Sequence, residues 1–525
     1  STVVSSNETA SPKSEQKIDA AVLKIASVVV LGSIMSILDI TVVNVALPTF
    51  QAELNVDKYS TVAWTVTAYT LALAAIIPVT GWAADRFGTK RLYILALSLF
   101  TIGSVLCAAA WNIETLILFR VVQGLGGGML MPLGMTILTK AAGPERMGRL
   151  MAILGIPMLL GPIMGPILGG WLIDNASWHW IFLINLPLGL AALLIAAKIL
   201  PADTVEPSES FDLIGMLMMS PGLALFLYGV SSIPGAGGMS EPKVWGTMLA
   251  GGLLVVGFVF YSLKPAHPLL DLRLFKNYDL SIATLTMFIF AGSFFGGLLL
   301  VPTYFQQVAG ETPMNAGLMM APQGLGAMLT MPLAGVLVDR FPVGRIAPIG
   351  MAIICGGMFA LTGIEADTSN TQIMVTLFVL GLGMGLTMMP IMTAALRTLK
   401  THQVARGSTL LNITQQVASS VGVAIISVVL TREMDNSKAI NAAQALVKAE
   451  ETGKQPSFEI LAYVQSLGEK FPALVLDDSA AAFATALTVA FVMCSVGLIS
   501  SLFLPKKHKA GEDDDLADPA PLMMH

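Results

Sequence analysis

Asp39 and Arg120 are the residues whose type and place could do chemistry. Each lies deep in an apolar stretch, Asp39 in LDITVVNVALP and Arg120 at the head of RVVQGLGGG. A carboxylate stripped of water costs several kcal/mol, so Asp39 must be paired, protonated or wetted. Such a group can take up and release a proton as its surroundings change. Arg120 keeps its charge throughout and can hold Asp39 ionised until a proton or a cargo competes. Asp39 stands nine residues before Pro48, and Arg120 six after Glu114. At 1.5 Å per residue they lie about 13 Å and about 9 Å from the same end of their helices. These depths predict that the pair meets across a central cavity, directly or through Gln123 or water. The structural alternatives are an Asp39 anchored on Thr41 or Asn44 and an Arg120 bonded to backbone carbonyls.

Composition says what scaffold must hold them. Of 525 residues, 55% are hydrophobic and 12% are Asp, Glu, Lys or Arg, against about 25% charged in a soluble protein. This excludes a soluble enzyme, a nucleic-acid-binding domain and a disordered chain, and makes the bilayer the solvent. The net charge of −5 calls for no polyanionic partner. Cys107, Cys355 and Cys494 sit in apolar runs, spaced for neither a disulfide framework nor a metal site. The first apolar run is too long for a signal-peptide core, so no cleaved leader is expected.

Thirteen uncharged runs of 19 or more residues, from 59–84 through 479–505, stand out, and a fourteenth, 25–52, contains Asp39. Each can cross a core of about 30 Å as a helix. Lipid offers the backbone no partners, and the runs are too long for barrel strands. The fold class is therefore all-α and polytopic, with fourteen spans. Most of the 29 Lys and Arg fall on the side that holds both termini, which places the termini in the cytoplasm. Residues 1–18 read as a disordered cytoplasmic arm and 506–525 as a cytoplasmic tail. Residues 19–200 read as one six-helix bundle, 201–278 as a linker with two extra spans, and 279–505 as a second bundle. Within the second bundle, 432–478 lies outside the membrane and reads as a helical hairpin.

One pattern recurs. GWAADRFGTKR carries Gly81, Asp85, Arg86, Gly88, Lys90 and Arg91; GVLVDRFPVGR carries Gly335, Asp339, Arg340, Gly344 and Arg345. At nearly the same offset Gly422 repeats Gly169. Two copies of a six-helix unit, with two helices inserted between them, place a substrate site at their interface. The first of these loops resembles the signature loop of the major facilitator superfamily. RVVQGLGGG and GPIMGPILGG, the latter with Gly161, Gly165, Pro166, Gly169 and Gly170, resemble that superfamily's fourth-helix and antiporter motifs. With fourteen spans, the chain is similar to the fourteen-helix drug:proton antiporters. His179 departs from the pattern, which usually has Arg there.

The resemblance implies a major-facilitator fold and proton-driven export by alternating access. It implies that Gly81, Asp85, Arg86, Gly88, Lys90, Arg91, Asp339 and Arg340 gate the cytoplasmic side. The second copy has Pro342 where Gly88 aligns and lacks a Lys-Arg pair, so its latch should be the weaker. Gly155, Gly161, Gly165, Gly169 and Gly170 of the fifth span are spaced largely by fours and line one face. They are expected to form a tight seam with the other half that seals against proton leak, or else serve ordinary packing.

Candidate cargo contacts are Asn44, Trp64, Tyr69, Gln123, Met131, Tyr304, Gln307, Asn412, Gln415 and Gln416. Met131 is one of thirty methionines, a side chain that adapts to varied apolar ligands. The glycine runs GLGGG and GLGMG lack a P-loop lysine, so an ion gradient and not a nucleotide supplies energy. No cofactor, metal, catalytic constellation or nucleic-acid partner is expected. The reading is a monomeric exporter of amphipathic small molecules in a bacterial inner membrane, driven by protons and surrounded by lipid. A lipid or metabolite exporter, a non-transporting scaffold or sensor, and an uptake symporter are the competing readings.

Overall fold

The computed structural model describes residues 20–56, 59–203, 210–236, 240–265 and 268–506. The expected arm at 1–18 and nearly all of the tail at 506–525 lie outside them. Among the described residues every regular element is helical. The first half comprises α1 (Ala20–Glu53), α2 (Tyr59–Phe87), α3 (Thr89–Ala108), α4 (Ile113–Ala142), α5 (Met147–Asn175), and a sixth span divided into α6 (Trp180–Leu183) and α7 (Asn185–Ile199). Two further helices follow, α8 (Leu213–Ala236) and α9 (Pro242–Tyr261). The second half starts with α10 (Tyr278–Gln307), a span divided into α11 (Pro313–Met319) and α12 (Ala321–Arg340), and α13 (Val343–Leu361). It continues with a span divided into α14 (Asn370–Gly385) and α15 (Met388–Arg397), then α16 (Val404–Asp435). Finally come α17 (Lys438–Thr452), α18 (Phe458–Leu467) and α19 (Lys470–Ser501).

Among the described residues, thirteen helical segments are long and apolar enough to cross a membrane. The 29-residue α5 makes the fourteenth long helix. Local sequence sets where they begin. Asn112, Asn277, Ser369, Ser437 and Ser457 each accept an otherwise orphaned N–H at a helix start. The hairpin expected at 432–478 is present as α17 and α18. Its bounds are narrower, because α16 runs on to Asp435 and α19 begins at Lys470. Ser437 Oγ donates to Asp478 Oδ2 at 2.7 Å and ties the hairpin to α19.

The repeat is visible in the packing. In the first half α1 packs on α5, α2 on α4, and α3 on α4 and α7; in the second, α10 packs on α16, α12 on α14, and α13 on α14 and α19. The halves meet along two seams, α5 against α12 and α2 against α16. The inserted α8 packs on α9 and touches both α2 and α16.

The glycine face of α5 is a seam, but with a partner other than the expected one. A Cβ on Gly161 would strike Ile37, one on Gly165 would strike Thr41, and one on Gly169 would lie 3.3 Å from Val42, all on α1. The Thr41 hydroxyl donates to the Gly161 carbonyl at 3.0 Å. Gly422 of α16 makes the equivalent approach to Gly292 of α10. The motif therefore joins the first and fifth helices within a half, and the contact of α5 with the other half uses a different face, where Gly155 abuts Met331 and Met389 as expected. Gly170 has nothing within 4 Å of a Cβ position. The Pro166 side chain lies outside the described ones.

Gly422→Val should force α10 and α16 apart at a cost of about 1–3 kcal/mol or more. The measurement is the unfolding midpoint in detergent, which should fall for Gly422→Val and stay at the wild-type value for Gly170→Val.

Candidate functional site

Four glycines between positions 124 and 128 let α4 approach α2 and α3 closely. Cβ atoms on Gly124 and Gly128 would lie 2.6 Å from the Tyr69 and Leu73 carbonyls of α2; one on Gly126 would lie 2.6 Å from the Ala96 carbonyl of α3. This close packing buries the face of α4 that carries Arg120 and, one turn on, Gln123.

Arg120 Nη1 donates to Asp39 Oδ2 of α1. The same nitrogen donates to Gln123 Oε1 at 2.8 Å, and Gln123 Nε2 donates to Asp39 Oδ1 at 2.9 Å. Arg120 Nε donates to the Thr65 carbonyl of α2 at 2.8 Å. The guanidinium carbon lies 4.2 Å from the centre of the Tyr69 ring, within cation–π range. The Tyr69 hydroxyl in turn bonds Ser36 Oγ at 3.1 Å. Both charged side chains are 0% exposed. Arg120 Nη2 has no hydrogen-bond partner among the described residues, so the guanidinium keeps one donor in hand.

The direct and Gln123-mediated contacts are those the helix depths indicated. The open cavity between the two is not: in this conformation the pair is sealed. Thr41 does not anchor Asp39; its hydroxyl goes to backbone carbonyls. Asn44 is exposed. Tyr69 and Gln123, expected to touch cargo, are instead built into the ion-pair cluster. Arg120 is both partner and strut, since Thr65 supplies the backbone carbonyl that the structural alternative required. Nothing in the sequence singled out Thr65, because a carbonyl contact leaves no residue-type signature.

The second charged site lies where the two DR motifs end their helices. Asp85 Oδ2 of α2 accepts from Arg406 Nε of α16 at 3.1 Å. Asp339 of α12 pairs with Arg149 of α5 at 3.3 Å and with Arg397 of α15 at 2.6 Å, and accepts the Gly148 N–H at 3.1 Å. Each motif thus reaches the fifth helix of the opposite half. The leading glycines explain the motif spacing. A Cβ on Gly81 would lie 2.9 Å from Thr409 Oγ1, and one on Gly335 would lie 2.9 Å from the Gly148 carbonyl, so these are the points where the halves touch. The second latch, expected to be the weaker, holds two guanidinium groups and a backbone donor.

Lys90 and Arg91 serve another purpose. Their backbone N–H groups donate to Asp203 at 2.8 and 3.3 Å, and Lys90 Nζ donates to the Ala197 carbonyl at 3.1 Å. Gly88 has φ +96 and abuts the Asp203 carboxylate, a backbone state that favours glycine. These residues fasten the chain after α7 to the start of α3 and do not cross to the other half. Arg86 is half-buried and Arg340 exposed. Sequence reading missed Arg149, Arg397, Arg406 and Asp203, each a basic or acidic residue at a helix end like many others.

The remaining cargo candidates scatter. Trp64 stacks on Tyr228 of α8 with centroids 5.6 Å apart. Tyr304 is buried and donates to the Glu365 carbonyl at 2.7 Å, so it serves the second half's own packing. Gln307 is exposed, and Gln415 and Gln416 are half-buried. Ser33 Oγ reaches Met131 Sδ at 3.9 Å. Asn412 Nδ2 reaches Met135 Sδ of the opposite half at 3.0 Å. A mostly apolar cavity of about 360 Å³ lies between α5 and α12, walled by Ile153, Ile156, Met328, Met331, Pro332 and Val336, with Arg149 at its edge.

Paired helical halves, a buried ion pair on one side and charge latches between the halves define a polytopic membrane transporter. The chain belongs to the Major Facilitator Superfamily, whose profile matches residues 29–423. It is 46% identical over 495 residues to the "Multidrug resistance protein B homolog" of Mycobacterium tuberculosis (strain ATCC 25618 / H37Rv), covering 94% of this chain and 91% of that one. It is 34% identical over 406 residues to the "Putative multidrug resistance protein MdtD" of Yersinia enterocolitica, covering 77% of this chain and 85% of that one. Among solved structures, a double Trp mutant of XylE shares the fold with a TM-score of 0.60 at 14% identity, over 93% of this chain and 96% of that one. Membership makes the chain a transporter and not an enzyme.

Asp339→Asn should take from Arg149 and from the buried Arg397 the carboxylate charge that they share. Stranding a buried ion costs about 3–5 kcal/mol. The unfolding midpoint in detergent should drop, and Arg397→Leu in the same background should recover part of the loss.

Proposed function

We propose that the protein exports amphipathic small molecules across a bacterial inner membrane in exchange for protons. The buried Asp39–Arg120–Gln123 cluster carries this reading. A fixed positive charge beside one titratable group, away from water, is the minimum a proton-coupling site needs. In the latched conformation Arg120 holds Asp39 as the carboxylate. When the cluster is wetted from outside, a proton on Asp39 removes its charge and loosens its hold on Arg120 and Gln123. The freed donors then turn toward cargo or solvent. Release of the proton to the cytoplasm restores the pair.

On this reading the basic end, with both latches, faces the cytoplasm, as the Lys and Arg bias favours. Joining Asp85 to Arg406 and Asp339 to Arg149 closes that side. Separating them opens it, and the halves rock about the cluster by alternating access. The cavity between α5 and α12 supports an apolar or amphipathic cargo that arrives from the inner leaflet, with membrane lipid as its natural surroundings. The names of the relatives support drugs as that cargo. Each chain holds a complete cluster and both latches, so a monomer suffices. Protons and cargo are its only proposed partners besides lipid, and no cofactor enters the scheme.

Proteoliposomes with an imposed pH gradient test this. A panel of cationic, neutral and lipid cargoes should show uphill transport of at least one class in the wild type. Asp39→Asn should abolish the pH-driven component while leaving downhill exchange within a few-fold. Arg120→Lys should lose about 10- to 100-fold, because one ammonium cannot reach Asp39, Gln123 and Thr65 in a fork. Undiminished pH-driven export by Asp39→Asn overturns the assignment, and transport of lipid alone replaces drugs with lipid as cargo.

A further inference from the structure

The helices α8 and α9 have no counterpart in the six-helix repeat, yet their attachment is specific. Asp212, immediately before α8, is buried. Its Oδ1 accepts the Gly215 N–H at 2.9 Å and the Tyr261 hydroxyl at 3.2 Å, and its Oδ2 accepts the Leu269 N–H at 3.1 Å. A Cβ on Gly215 would run into this carboxylate, so glycine leaves the space for it. One carboxylate therefore gathers the start of α8, the last residue of α9 and the strand of chain leading to α10.

That chain continues into the latch. Arg406 Nη1 donates to the Pro268 and Leu269 carbonyls at 3.0 and 2.7 Å, while Arg406 Nε faces Asp85. Leu269 thus gives its N–H to Asp212 and its carbonyl to the latch arginine. Leu269 and Leu270 are 0% and 1% exposed, so the segment is plugged into the protein. The other seam is supported differently. There Arg397 donates to the Pro144 and Val338 carbonyls, which belong to the two halves themselves. The α2–α16 latch thus draws on the connecting segment.

We propose that Asp212 is a positioning residue for the gate: it clamps residues 268–270 against Arg406, so that α8 and α9 act as a clasp favouring the state in which Asp85 and Arg406 are joined. The physical basis is orientation. A guanidinium whose Nη1 is held by two carbonyls presents Nε to Asp85 without first being ordered, and a preorganised group forfeits less entropy on pairing. Release of the segment removes two of the bonds that fix the Arg406 guanidinium, so that it meets Asp85 from more rotamers. The inserted pair then tunes how long the gate stays shut, beyond any role as a spacer. This rests on the alternating-access reading above.

The test is a distance measurement on the full chain in nanodiscs, with spin labels on Glu145→Cys and Phe341→Cys, both exposed at the motif end of the α5–α12 seam. The native cysteines are buried and stay unlabelled. Asp212→Asn should raise the ratio of separated to joined populations about 2- to 10-fold, the worth of one hydrogen bond. Tyr261→Phe, which removes one donor and leaves the carboxylate, should shift it the same way by less. In an Asp85→Asn background, Asp212→Asn should add no further shift, since the clasp acts through that latch. A merely structural Asp212 would lower the unfolding midpoint with the distance ratio unmoved. Wild-type distances in folded Asp212→Asn overturn the proposal, as does a full shift persisting without Asp85. If Asp212→Asn does not fold, unchanged distances in Tyr261→Phe overturn it. Wild-type proteoliposomes that fail to transport sink the exporter reading alone, because the distances report separation of the halves without cargo.

Discussion

Two opposite charges share one dry pocket, and neither is tolerable there alone. The cost of a lone buried ion is several kcal/mol, so Asp39 and Arg120 must stay together unless a proton or water intervenes. That requirement explains the crowding around them. Three helices converge, α1 with the acid, α4 with the base and Gln123, and α2 with the Thr65 carbonyl and the Tyr69 ring. The glycines of α4 exist where α2 and α3 come within contact of its backbone. On α5, Gly161 and Gly165 then let α1 lie flush, which fixes the helix that carries Asp39. Packing glycines and the ion pair are two parts of a single solution.

The latches obey a different balance. Arg149 is 28% exposed and Asp339 8%, so water can replace part of what is lost when they part. Surface pairs contribute about 0–1 kcal/mol and buried ones far more when broken. On the alternating-access reading proposed above, pairs of that intermediate strength suit a gate, and the core pair suits a site that a proton must unlock. The repeat makes the two charge latches symmetrical in plan, each DR motif meeting the opposite half's fifth helix. It is unsymmetrical in support, since Arg397 backs one latch and residues 268–269 back the other.

How much of this was legible beforehand depends on the kind of signal. Hydropathy runs located each long helix, most of them within a few residues, because lipid leaves no choice but a helix of fixed length, although α4 and α19 begin well before their runs, at Ile113 and Lys470. Helix depth placed Asp39 opposite Arg120, because rise per residue is constant. The repeated loops located both latch acids. Their partners were not legible: Arg149, Arg397 and Arg406 look like any basic residue at a helix end. The seam expected between the α5 glycines and the other half holds for Gly155, which abuts Met331 and Met389, but not for Gly161, Gly165 and Gly169. A stripe of small residues announces a close neighbour without naming it, and α1 proved to be that neighbour.

By itself, then, the chain's order of residues determined the long apolar helices, their approximate lengths, the twofold repeat and the depth of each charge within its helix. These follow from local geometry and from the cost of desolvation, which act on every stretch regardless of its neighbours. Only the tertiary structure decided which faces meet: α5 on α1 through its glycines and on α12 through another face, Tyr69 beneath a guanidinium, Leu269 between Asp212 and Arg406. Rotation about a helix axis and the path of a connecting segment are set by the sum of many weak contacts. No single residue type records them.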